Sequence, residues 1–334
     1  MSTDNPFATP HAALSAPATA ATSARQQPLQ FVAAMIVAAA AAFFGSNAMQ
    51  WIFDLGSFRE RLLQYLPTML ANWLGGLLFY AAAVLLLVHY QRERHGIARF
   101  QPLAGLLVGF AVAYLVATLV VSTAVSYLSM SFYQWAFEQG SRTLWMVLYG
   151  QVNSLINLAL GCLLPLWLTL YLARSRSERL APGQAIALPS WQVALGVALC
   201  FTALTYKLLV ALSYGALYLY SGADGWQSVF MLSGCVLPFA IVMAAVQTRL
   251  PAQVSRFAAG RVLACALVLL ALWALAIVLV SVLVAYAAYS SLNSSSLPLY
   301  LLAPAVLLLA LLWPLARWCA GWLFAGQLAQ SSPR

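Results

Sequence analysis

Residues 262–289 read VLACALVLLALWALAIVLVSVLVAYAAY, an apolar run without a single charged side chain. At about 1.5 Å of helix per residue, it exceeds the roughly 30 Å hydrocarbon core of a bilayer. Runs of the same kind recur along nearly the whole chain, at 29–53, 68–90, 102–129, 144–173, 190–220, 227–248 and 297–318. The eight runs predict an all-α, polytopic integral membrane protein. Four of them, at 102–129, 144–173, 190–220 and 262–289, are longer than a span needs, which implies tilt or extension beyond the hydrocarbon.

Composition agrees with this reading. The chain of 334 residues is 63% hydrophobic and 7% charged, whereas a soluble domain carries about 25% charged residues. Too few charges are present to cover a water-exposed surface. The net charge of +9 does not point to nucleic acid, because the basic residues lie in short connections between apolar runs and not on one folded face. Lys207 is the only lysine among 16 basic residues, a bias that fits a GC-rich bacterial source.

Arginine placement sets the expected orientation, since basic residues are retained on the cytoplasmic side. With the amino terminus inside, the inner segments carry Arg25, Arg92, Arg94, Arg99, Arg174, Arg176, Arg179, Arg249, Arg256, Arg261, Arg317 and Arg334, against Asp4, Glu93 and Glu178. The outer segments carry Arg59, Arg61 and Arg142 against Asp54, Glu60, Glu138 and Asp224. A missed or extra span would scramble this split, so both termini are expected inside. The domain reading is a disordered cytoplasmic tail at 1–28, an eight-span domain at 29–325 and a short cytoplasmic tail at 326–334. The Ala-, Pro-, Ser- and Thr-rich start lacks the apolar periodicity needed to bury a core. It also lacks the basic start of a cleaved signal peptide.

Two outer connections look structured. In 54–67, Leu55, Phe58, Leu62 and Leu66 share one helical face, which predicts a helix lying in the interface. In 131–143, Phe132, Tyr133, Trp135 and Phe137 favour headgroup depth. A weak repeat links the fourth and sixth spans through Gly161–Pro165 and Gly234–Pro238, both reading Gly-Cys-x-Leu-Pro. We read the chain as four hairpins with tips pointing outward. Such parallel repeats occur in transporters and also in proteins that transport nothing.

Lys207 is the sharpest chemical feature, a cation inside the fifth span. A charge there costs at least about 2.5–3.5 kcal/mol unless it is solvated or paired, and no span contains an acid to pair with it. Its expected surroundings are a water-filled cavity, an anionic ligand, an inward-dipping Asp54, Glu138 or Asp224, or headgroups reached by snorkelling. Gln151, Asn153, Ser154 and Asn157 form a second polar cluster in the fourth span, with Asn153 and Asn157 one turn apart. These amides can orient a ligand or form an interhelical seam beside the small residues Gly150 and Gly161. Ser46, Asn47, Gln50, Asn72, Ser122, Thr123, Ser126, Ser213 and Tyr214 also lie in outer halves, suggesting a polar pocket open to the outside with Lys207 at its floor.

Other chemistry finds little support. Cys162, Cys200, Cys235, Cys265 and Cys319 show no CxxC spacing, so packing is expected and neither a disulfide framework nor a metal site. His11 lies in the tail, while His89 and His95 sit at the inner end of the second span, where an exposed interfacial role is expected. Leu232–Cys235 lacks the first glycine of an intramembrane serine protease motif, and no phosphate-binding glycine loop is present. Pro165, Pro238, Pro304 and Pro314 can kink their spans, in moving and static bundles alike.

The leading expectation is a non-enzymatic protein of the bacterial inner membrane that binds or moves a small or amphiphilic molecule, in transporter-like or accessory-permease fashion. Lys207 would supply the charge for an anionic ligand, with Asn153, Asn157 and Gln151 as orienting groups. No cofactor is implied. The expected partners are the lipid bilayer and a small-molecule or lipid ligand. The second reading, with a membrane protein as partner, is a scaffold, assembly factor, sensor or protective protein. A lipid-modifying enzyme is the weakest of the three. Single cysteines introduced into a cysteine-free background should react with impermeant reagent from outside at 54–67 and 221–226 and stay unreactive at 174–188; the reverse pattern would overturn the orientation.

Overall fold

The computed structural model describes residues 18–53, 58–138, 142–180, 187–217, 226–290 and 297–325. It contains eight helical segments long and apolar enough to cross a membrane: Ala24–Phe53, Leu66–His95, Leu103–Ala136, Val147–Ala173, Ser190–Ser213, Gln227–Arg249, Ala259–Tyr286 and Ala303–Leu323. Each corresponds to one apolar run of the sequence. The helices are α1 (Ala18–Phe53), α2 (Phe58–His95), α3 (Leu103–Glu138), α4 (Arg142–Ile156), α5 (Leu164–Ala173), α6 (Ser190–Leu217), α7 (Gln227–Gly234), α8 (Val236–Arg249), α9 (Ala259–Ser290) and α10 (Leu297–Leu323). A π-helical stretch, Asn157–Leu163, joins α4 to α5 as one span, and α7 and α8 together make the sixth. Val37, Leu119, Leu172, Phe230, Leu283 and Tyr286 are among many large apolar residues left exposed around the outside. Water-soluble monomers rarely expose contiguous apolar surface on this scale.

Three boundaries differ from those drawn on composition. The first helix begins at Ala18, so 18–28 is helical and not part of a disordered tail; the Ala-rich segment has high helix propensity, and Gln27 is fully buried. Residues 1–17 and the tail 326–334 lie outside the described residues. Residues 58–67 are the first turns of α2, and not a separate helix lying in the interface, although Pro67 falls inside. Likewise α3 runs on to Glu138. A continuous apolar-to-amphipathic pattern carries no stop signal of its own, so these helices extend past the length a bilayer requires.

The second, fourth and sixth spans end in connections that hydrogen-bond to one another. Strand β1 (Ile97–Arg99) pairs antiparallel with β2 (Glu178–Arg179), and β3 (Leu188–Pro189) pairs with β4 (Gln253–Val254). The connection between the fourth and fifth spans thus bonds to both others. The last turn of α2 completes the assembly. The Glu93 carboxylate accepts hydrogen bonds from Phe257 N (2.5 Å) and Ala258 N (2.9 Å), just before α9 begins at Ala259. That end of the helix carries unpaired N–H groups and positive dipole, which a carboxylate satisfies. It also holds Ala258 at φ 51°, a left-handed conformation that costs an L-residue about 1–2 kcal/mol.

Neighbouring residues act alike. His89 is 2% exposed and stacks on Phe257, with ring centroids 3.8 Å apart; it is a packed core residue and not an exposed interfacial one. Arg92 Nη2 donates to Ala98 O at 3.1 Å, and Arg174 Nη2 donates to Gln91 Oε1 at 2.8 Å. Gly96 takes φ +58°, the left-handed turn that ends a helix and favours glycine. At the start of α1, the Gln27 amide accepts from Phe100 N (3.0 Å) and donates to Phe100 O (3.2 Å). The Gln192 amide of α6 donates to Arg25 O at 3.0 Å. The start of α1 therefore sits at the same end as these connections. Phe31, Phe100, Phe110, Phe201, Phe257 and Phe324, all fully buried, concentrate the core toward it.

Packing reveals a repeat with a longer period than the hairpin. In the first half, α1 packs on α2 and α3, and the fourth span packs on α2 and α3. In the second half, α6 packs on α8 and α9, and α10 packs on α8 and α9. The two four-helix rings meet along α2 and α6. Matching residues accompany the match in packing: Arg92, Ile97, Arg99 and Phe100 stand to the first ring as Arg249, Val254, Arg256 and Phe257 stand to the second. Phe100 packs edge-on against Phe31 of α1, and Phe257 lies against Gly196 of α6, where an added Cβ would come within 2.6 Å of its ring. The Gly-Cys-x-Leu-Pro strings mark helix irregularities in both spans that carry them. The π-helical stretch precedes Pro165, and the break at Cys235 precedes Pro238. Proline cannot donate to the carbonyl four residues back and its ring crowds it, so the helix widens or breaks there.

Gln27→Leu should destabilise the protein by about 2 kcal/mol or more, because it strands two buried backbone groups of Phe100 at about 1–3 kcal/mol each. Thermal unfolding of the purified protein in detergent would measure the loss.

Candidate functional site

Lys207 lies on α6, 17 residues beyond Ser190, or about 25 Å of helix from the arginine-rich end. Its side chain is partly buried and turns between helices. Nζ donates to Ser154 Oγ at 2.6 Å and stands 5.4 Å from the centroid of the Phe79 ring. An ammonium over an aromatic face is attracted by the ring quadrupole, the more so when desolvated. Among the described residues no carboxylate pairs with it; Asp54 and Asp224 lie outside the described residues.

The adjacent residue fixes this geometry. Tyr206 is buried, and its hydroxyl donates to Ala71 O and Asn72 Oδ1, each at 3.3 Å. Its ring occupies the space beside Gly75, where any side chain would collide with it. Ala71, Gly75 and Phe79 recur every four residues, so one face of α2 receives Tyr206 and Lys207 together. Trp73, on the same helix, stacks on Phe43 of α1 at 4.9 Å.

On the fourth span, the amides expected to orient a ligand bond largely to each other. Asn157 Nδ2 donates to Asn153 O at 2.9 Å and to Asn153 Oδ1 at 2.5 Å. Asn157 is also the first residue of the π-helical stretch. A π turn inserts an extra residue and rotates the rest of the helix away from its α-helical path, and such turns recur at functional sites. Gln151 is partly buried on α4. The structure thus brings Lys207 to Ser154, inside the Asn153–Asn157 turn, while Asn153 and Asn157 are joined to one another.

The broader outer-half pocket is not assembled by its hydroxyls. Thr123, Ser126 and Ser213 donate to the carbonyls of Leu119, Ser122 and Val210 on their own helices, and Ser122, Thr123 and Ser126 face outward as exposed residues. Short hydroxyl side chains satisfy themselves on the preceding turn when no other partner is near. Asn47 similarly donates to Phe43 O at 2.7 Å. The aromatic residues beyond the fourth span's start do cluster: Phe132 stacks on Tyr149 at 4.4 Å, and Trp135 meets Trp145 edge-on at 5.2 Å.

Sequence reasoning placed Ser154 in the polar cluster without singling it out and missed Phe79 and Gly75. The four-residue spacing of Ala71, Gly75 and Phe79 was visible, but nothing in one sequence says which helix that face meets. No protein-family model, curated protein or solved structure matches the chain.

Gly75→Ala should destabilise by about 1–3 kcal/mol, because the tyrosine ring must move. Gly76→Ala, where an added Cβ meets nothing within 4 Å, should be neutral or slightly stabilising, since alanine favours the helix by about 1 kcal/mol. Paired melting curves would separate the two.

Proposed function

We propose that this chain is a multi-pass protein of the bacterial inner membrane, with both termini cytoplasmic, that binds or moves a small anionic or amphiphilic molecule admitted from the outer side. One observation carries the reading: Lys207 turns its ammonium between helices toward Ser154 and Phe79, and not outward to snorkel. A partly buried lysine that meets, among the described residues, a hydroxyl and a ring face leaves charge to be balanced, and in a low-dielectric setting an anion is the strongest partner for it. The π turn that begins three residues beyond Ser154 supports the site, because such turns recur at functional sites.

The orientation rests on the arginines of the sequence. The bonded connections and the start of α1 lie together at the end that carries them, as the inward-termini arrangement requires. Asn153 and Asn157 act on the ligand through the turn they brace. Gln151 remains the outer member of the cluster.

Lys207→Met, which keeps the apolar length and removes the charge, should lower affinity for an anionic amphiphile such as an alkyl phosphate or alkyl sulfate by about tenfold or more, the scale of one lost charge-assisted hydrogen bond. Lys207→Arg should retain part of it. Equal ligand-induced melting shifts in wild type and Lys207→Met would sink the reading and favour a scaffold that presents its outer surface to another protein.

A further inference from the structure

The arginine-rich end holds a second feature of a different kind. A cleft of about 320 Å³ opens there, lined by Arg94, His95, Ile97, Arg174 and Arg179. That volume lies at the lower end of the range of small-molecule sites. Its walls come from the end of α2, from β1, from the end of α5 and from β2, so the pairing of β1 with β2 brings its basic residues together. No acid is among the lining residues.

The two described acids at this end are committed elsewhere. Glu93 accepts from Phe257 N and Ala258 N, and the Glu178 carboxylate accepts from the Gln101 side-chain amide. Two of the three arginines are instead held by uncharged groups. Arg174 donates to Gln91 Oε1 at 2.8 Å, its guanidinium lies 4.8 Å from the Tyr171 ring centroid, and its buried Nε has no hydrogen-bond partner. Arg94 donates to the Tyr90 hydroxyl at 2.7 Å and lies 5.7 Å from the same ring's centroid. Arg94, Arg174 and Arg179 line the cleft together around His95. Neutral anchors position the guanidinium groups without neutralising them. Like charges gathered in this way repel one another until an anion joins them.

We propose that this cleft binds a phosphate group, supplied either by an anionic lipid headgroup or by a soluble phosphate. Guanidinium forks match phosphate oxygens in bidentate geometry, where an ammonium acts only as a point charge. Basic pockets where helices meet the cytoplasmic interface take anionic headgroups. Ile97, a buried residue, is the apolar member of the lining. Lys207 stands about 25 Å along α6 from this end of the bundle, and the site does not depend on it.

The test uses the purified full chain in nanodiscs of phosphatidylcholine with increasing phosphatidylglycerol, and in detergent with inorganic phosphate or glycerol phosphate. Melting shift and lipid retention in native mass spectrometry are the readouts. Arg94→Gln combined with Arg179→Gln, both at exposed positions that can change without unfolding the core, should weaken the response about tenfold or more. Arg176→Gln removes a neighbouring exposed charge outside the cleft and should change it less than about twofold, as should Lys207→Met. A response to phosphatidylglycerol and to both soluble phosphates assigns the phosphate group itself; a response to phosphatidylglycerol alone assigns the headgroup with its lipid. The proposal is overturned if neither source gives a response, or if the double variant and Arg176→Gln lower it equally.

Discussion

The Glu93 carboxylate, set against two consecutive backbone N–H groups at the start of α9, is the contact on which the rest of the bundle depends. It joins the end of the second span to the beginning of the seventh, across the line where two four-helix rings meet. His89 one turn earlier stacks on the same segment, Gln91 reaches the end of the fourth span, and Arg92 holds the turn just past the end of its own helix. A single turn of α2 therefore touches three connections of the chain. In a lipid-embedded bundle such polar fixings matter more than apolar burial, because the tails outside are as apolar as the side chains within and give helices little reason to associate.

The two rings share a frame, and the one lysine belongs to the second. Their backbones and their bonded connections correspond, through Arg92, Ile97, Arg99 and Phe100 on one side and Arg249, Val254, Arg256 and Phe257 on the other. The contents differ. The first ring places Glu93 where the second has Leu250, so the capping is one-sided, and Lys207 projects from the second ring into the fourth span of the first. The two halves share the frame, and Lys207 lies at the seam between them, where the correspondence ends.

Much of the frame was legible in the sequence. The eight apolar runs and the gathering of arginines at one end follow from length and charge alone. Helix ends were less legible: 18–28, 58–67 and 131–138 lack a decisive stop signal, and only neighbours such as Phe100 for Gln27, or Tyr149 for Phe132, show why the helices continue. His89 looked interfacial because its flanks are basic; the ring that covers it comes from a connection far along the chain, at Phe257. Lys207 could be read as a cation in need of a partner. Its nearest groups could not, since Phe79 is one of 16 phenylalanines and becomes special only through the four-residue face it shares with Gly75. The outer hydroxyls were over-read, because their own helices can satisfy them.

The side-chain contacts that cross between the rings have a mechanical meaning. Separating the two rings at that end would require breaking the carboxylate bonds of Glu93 to Phe257 N and Ala258 N, the stacking of His89 on Phe257 and the Gln192 bond to Arg25 together. Were the rings to move against each other, that end would act as the pivot of a pair of tongs. Relative movement of the rings is cheapest as a splaying whose amplitude grows with distance from the pivot, so it is felt more at the level of Lys207 and Ser154 than at the arginine cleft.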